Sequence, residues 1–72
     1  MTGTEAIKIL ESIGYTYAGA SSHENCDEVY MRHPSDKSDD GDVSVIHVHN
    51  RYTDPHDPQN EEAVRHAESF LS

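Results

Sequence analysis

The chain has one cysteine, no tryptophan, one phenylalanine, and only five basic residues against fourteen acidic ones. Each shortage excludes something. With Cys26 alone, no disulfide can form within a monomer, and a lone thiol fits a reducing compartment, so a cytoplasmic protein is expected. Large apolar side chains are few, and so small a core contributes only about 3–5 kcal/mol net. Metals and second subunits are the usual supplements at this size, which makes a homodimer one expected arrangement. No run of apolar residues approaches the ~20 needed to span a bilayer. The start, Met1-Thr2-Gly3-Thr4-Glu5, has neither the basic opening nor the apolar stretch of a signal peptide. No membrane association is expected. The basic residues Lys8, Arg32, Lys37, Arg51 and Arg65 stand singly, so no basic patch gathers phosphates and direct nucleic-acid binding is disfavoured.

What the chain does have is negative charge, formally −9. Charge on this scale serves solubility or a salt-adapted host, or it forms an acidic face that meets a basic partner.

Local signals divide residues 1–72 into five elements of one domain. Thr2-Gly3-Thr4-Glu5 has the spacing of a capping box. Ala6, Ile7, Ile9, Leu10 and Ile13 then share a helical stripe, and Gly14 suits the left-handed residue that follows a helix. A helix over 4–13 is predicted. Tyr15 to Ala20 alternates aromatic and small residues as a half-buried strand does. A second strand runs from Glu28 to His33, where Pro34 is expected to stop it. An acidic turn follows, and Val43 to His49 is the third strand, apolar on both faces. The last helix is expected to open at Asn60 as its N-cap, with Glu61 and Glu62 in the first turn. The order α-β-β-β-α predicts an α+β domain with a three-stranded antiparallel sheet and both helices on one face.

Three constellations carry chemistry. His47 and His49 are two apart on a strand and so share a face, and His56 lies just beyond. Imidazole triads of this kind hold Zn²⁺ or similar ions. No cofactor is required by the sequence, but a divalent metal at these three residues is an option. Asp36, Ser38, Asp40 and Gly41 follow the opening of a calcium loop, but His47 stands where a bidentate glutamate is needed, so an acidic turn is expected instead. Ser21-Ser22-His23 with Glu24 nearby places an imidazole beside a carboxylate, the equipment of general acid–base catalysis. Cys26 has no cationic sequence neighbour to activate it.

The helix with Ile9-Leu10 followed by Gly14-Tyr15, the Ser22-His23 pair, the strand ending Tyr30-Met31-Arg32-His33-Pro34 and the Val-rich strand with histidines together resemble the HicA-type toxin family. Those proteins are small α-β-β-β-α domains similar to double-stranded-RNA-binding folds, and they cleave messenger RNA with a histidine in a Gly-Ser-His segment. The resemblance implies that His23 is catalytic, with Ser22 as its neighbour. Ser21 replaces the family's glycine, the Ser35–Asp42 segment is long and acidic, and the family is usually basic where this chain is not.

The composition ranks first a non-enzymatic binding protein that acts by protein–protein contact, as small phage-encoded inhibitors do. Asp36, Asp39, Asp40 and Asp42, with Glu24, Asp27 and Glu28, are expected to line a negative surface on two adjacent loops. That surface would occupy a partner's basic, nucleic-acid-binding groove. A HicA-like ribonuclease, or an inactive relative, is the alternative, and a histidine metal site is the second alternative.

Overall fold

The computed structural model describes residues 1–37, 41, 43–53 and 56–71. Helix α1 spans Gly3–Ser12, and local sequence fixes both ends. The Thr2 hydroxyl accepts the Glu5 backbone N–H at 3.1 Å while the Glu5 carboxylate accepts the Thr2 N–H at 3.2 Å. This reciprocal pairing satisfies donors that the first turn leaves orphaned. At the other end Gly14 takes φ +104°. Its N–H donates to the Glu11 carbonyl and that of Tyr15 to the Leu10 carbonyl, the paired bonds of a Schellman stop. A side chain on Gly14 would also meet the His33 ring at 2.8 Å.

Strands β1 (Thr16–Ser22), β2 (Cys26–Lys37) and β3 (Val43–Arg51) form an antiparallel meander in the order β1-β2-β3. Pro34 does not end β2, contrary to the sequence expectation. It falls in a register break in which Arg32 faces Val45 but Lys37 faces Val43. A bulge has no ladder bond at that point for proline to remove, so the strand runs through.

The meander also separates Asp27 from Asp36, which were expected to line one surface. Consecutive hairpins turn at opposite ends of their shared strand. Asp27 and Asp36 are therefore roughly 30 Å apart along β2, at ~3.3 Å per residue.

Helix α2 spans Pro58–Leu71, its N-cap three residues earlier than expected. Asp57 caps it, its carboxylate accepting the Gln59 N–H at 2.9 Å, and Pro58 occupies the first helical position, where a missing N–H costs nothing. Asn60 sits inside the helix and is wholly buried. Its side-chain oxygen accepts the His49 N–H at 2.8 Å, and its nitrogen donates to the His49 carbonyl at 2.8 Å and the Met1 carbonyl at 3.3 Å.

Alternation along the strands gives the sheet two faces. Met31, Ile46 and Val48 point to the helices and join Ala6, Leu10, Tyr15, Val64 and Ala67 in the core. Glu28, Tyr30 and Arg32 of β2, with Val45, His47 and His49 of β3, lie on the other, open face. The third strand is thus buried on one side only, with Val43 and Val45 exposed. Among the described residues no helix is long and apolar enough to cross a membrane.

Replacing Asn60 by Ala orphans the buried N–H and carbonyl of His49 together. The expected loss is about 2–4 kcal/mol, measured as a shift in the urea midpoint at unchanged slope. A loss below ~0.5 kcal/mol would show that the paired bonds do not anchor α2.

Burial, the N–H of Gln59 and the guanidinium of Arg51 act on Asp57. The backbone bond from Gln59 is the largest influence, burial opposes it, and Arg51 at 2.9 Å adds to the first, so the carboxyl sits below its ordinary value. A depressed native value means stability that is present above pH ~4 and lost as pH falls through the native titration. Wild-type stability is therefore expected to fall below pH 4, and Asp57→Asn to flatten that fall. An identical acid limb in the two proteins would assign it to other carboxylates.

Candidate acid–base site on the open sheet face

Register brings together residues that are far apart in sequence. Ser21 faces Glu28 across β1 and β2, Glu28 faces His49, and Tyr30 faces His47. His23 sits at the tip of the first hairpin, held by its N–H bond to the Cys26 carbonyl at 2.8 Å. From there its Nε2 reaches the Ser21 hydroxyl at 3.1 Å and the Glu28 carboxylate at 3.5 Å. The Tyr30 hydroxyl lies 2.7 Å from Ser21 Oγ and donates to Glu28 Oε2 at 3.0 Å. The His49 ring approaches the other Glu28 oxygen at 3.9 Å, and the His47 ring meets Tyr30 edge-on at a centroid distance of 4.8 Å.

Glu28 is the hub of this cluster. Its carboxyl lies below the ordinary range, chiefly because the Tyr30 hydroxyl bonds to the charged form. Partial burial opposes this, and His23, His49 and His47 reinforce it. The side chain of His23 is half exposed, those of His49 and Glu28 about one-fifth. The cluster therefore joins a fixed carboxylate to an accessible imidazole, an arrangement that can take a proton from a substrate and stabilise the resulting cation.

The sequence-predicted residues separate accordingly. His23 is in the site, but its hydrogen-bonded serine is Ser21; Ser22 alternates to the other face. Glu28 belongs to the imidazole cluster, with Tyr30 and His49 at its carboxylate. Asp27 accepts the Tyr52 hydroxyl at 2.6 Å, and Glu24 is exposed. Asp36 is a correction. It is buried at 3% exposure, accepts the Tyr15 hydroxyl at 2.8 Å and contacts His66 at 3.3 Å, so it is not part of an exposed acidic loop. Burial and this bond to Asp36 push the Tyr15 hydroxyl up. Asp39, Asp40 and Asp42 lie outside the described residues.

The metal triad is not assembled. His47 turns to Tyr30 and His49 to Glu28, while His56 bridges to Thr2. Among the described residues no group of three or more His, Cys, Asp or Glu is arranged to hold a metal ion.

Sequence reasoning missed Tyr30 and the role of Glu28. The signal was Glu28-x-Tyr30-x-Arg32 opposite His47-x-His49, two same-face series whose alignment depends on hairpin register. No family model, curated protein or solved structure matches the chain.

Tyr30→Phe removes the largest influence that lowers Glu28. The Glu28 carboxyl is then expected to titrate higher, followed by its ¹³C chemical shift against pH. The stability it contributes above its ordinary value, lost as pH falls through the native one, shrinks accordingly. An unmoved titration would show that the hydroxyl does not hold the carboxylate.

Proposed function

We propose that the open sheet face is an acid–base site that cleaves RNA by internal transesterification, with His23 as the proton-exchanging group. The carrying observation is the hydrogen-bonded cluster of Ser21, His23, Glu28 and Tyr30. The resemblance to HicA-type toxins supplies the substrate class. In this reading neutral His23 accepts the proton of a ribose 2′-hydroxyl as that oxygen bonds to phosphorus. The bond to the 5′-oxygen breaks, and a protonated imidazole or water returns a proton to the leaving group. Glu28 steadies the transient imidazolium, and Ser21 fixes the ring. Arg32, two residues beyond Tyr30 on the same face, is the local cation for the phosphate.

The test is incubation of purified chain with single-stranded RNA in EDTA, beside His23→Ala. Cleavage is expected from the wild type, reduced at least about 100-fold in the variant. Intact RNA with both, or equal cleavage by both, would sink the reading.

The charge of −9 favours a second reading, a binding protein for a basic protein partner. Glu24 and Asp27 at the first hairpin support it, while the burial of Asp36 removes one of its residues. Its mark is an affinity that weakens steeply with salt while RNA stays intact.

A further inference from the structure

The outer edge of β3 is half closed. The N–H and carbonyl of His49 both point away from β2, since both bond to the Asn60 side chain. In an antiparallel strand this orientation repeats every second residue, so the backbone groups of His47 and Val45 face the same way. Among the described residues neither has a hydrogen-bond partner on that side. Alongside them runs a groove of about 410 Å³ between β3 and α2, within the roughly 300–1,000 Å³ of pockets that receive ligand groups. Ile46 and Ala63 supply its apolar wall, and Gln59, Glu62 and His66 line the helix side.

We propose that this groove takes an extended, basic segment of a protein partner, which adds to the sheet as a fourth strand beside β3. Asn60 shows how the edge is read, since its amide makes the pair of bonds at His49 that a neighbouring strand would make. An incoming strand continues that pattern at His47 and Val45. Its main chain gives affinity, and alternate side chains give specificity. Those on the helix side pack toward Ile46 and Ala63, where Glu62 selects lysine or arginine. The overall charge of −9 speeds the encounter with a basic segment and opposes the pairing of two copies of this chain through the same edge. The inference does not rest on the acid–base reading, because the edge backbone and α2 take no part in that cluster, although the side chains of His47 and His49 border both.

The test uses a capped Lys-Val-Lys-Val-Lys-Val peptide, with Glu-Val-Glu-Val-Glu-Val as control, followed by ¹⁵N NMR. Expected are shifts and slowed amide exchange at Val45 and His47, with shifts at Ala63, for the basic peptide only. Val45→Pro removes an outward N–H without touching the ladder to β2 and is expected to weaken binding at least about tenfold. Glu62→Lys, on the exposed helix surface, is expected to weaken it several-fold whether or not the proline variant folds. Shifts confined to β1 and β2, equal binding of the acidic peptide, or folded variants with unchanged affinity would overturn the proposal. So would edge pairing between copies in the absence of peptide.

Discussion

The amide of Asn60 is the interaction on which the rest of the arrangement depends. One buried side chain satisfies both backbone groups of His49 and reaches the Met1 carbonyl, so α2, β3 and the first residue meet at a single point. An amide is the only neutral side-chain group that offers donor and acceptor in the fork needed to imitate a strand. Nearby constraints serve the same junction. Asp57 donates its N–H to the Met1 carbonyl at 3.0 Å, and its carboxylate caps α2 while pairing with Arg51. A side chain on Gly3 would lie 2.8 Å from the His49 carbonyl, so glycine there lets α1 approach the same edge. With these contacts the edge is closed at His49, while among the described residues His47 and Val45 have no such partner.

The second consequence is the division of labour between the faces of the sheet. Helices fastened over β3 cover Met31, Ile46 and Val48 and leave the opposite side without a layer. Polar residues can occupy that side only if they satisfy one another or water. The Ser21–His23–Glu28–Tyr30 cluster does both, with imidazole outward and the carboxylate partly enclosed. The cluster is thus compatible with the fold without being demanded by it. An apolar or fully solvated surface would have served the core as well, whereas this surface holds one carboxylate among three imidazoles.

The parts of the fold legible in sequence were those set by local chemistry. Thr2 and Glu5 announced the start of α1, Gly14 its stop, and the apolar periods the order of elements. What was not legible depended on distant partners. Asn60 is a good N-cap by residue type, and only the nearby β3 edge makes it more useful inside the helix. Pro34 is a strand breaker unless a bulge receives it, and the bulge is seen only in the register between β2 and β3. Asp36 reads as surface charge, yet that same bulge turns it toward Tyr15 and His66. His23 was legible from its neighbours in sequence, but its hydrogen-bonded partners Glu28 and Ser21 required the pairing of β1 with β2.

Charge and chemistry pull in different directions here. A formal −9 raises the cost of bringing any polyanion to the open face, and Arg32 is one cation against that field. The cluster offsets this only locally, since Glu28 is flanked by the imidazoles of His23, His47 and His49 where the proposed reaction would place a phosphate. The groove beside β3 carries no such conflict, because an acidic domain and a basic strand attract within the range that salt leaves unscreened. An extended partner seated there would lie next to His47, whose ring packs on Tyr30, and would bring its own positive side chains to the border of the histidine cluster. Partner binding and phosphate binding would then reinforce each other through charge alone, with no change of shape required in the sheet.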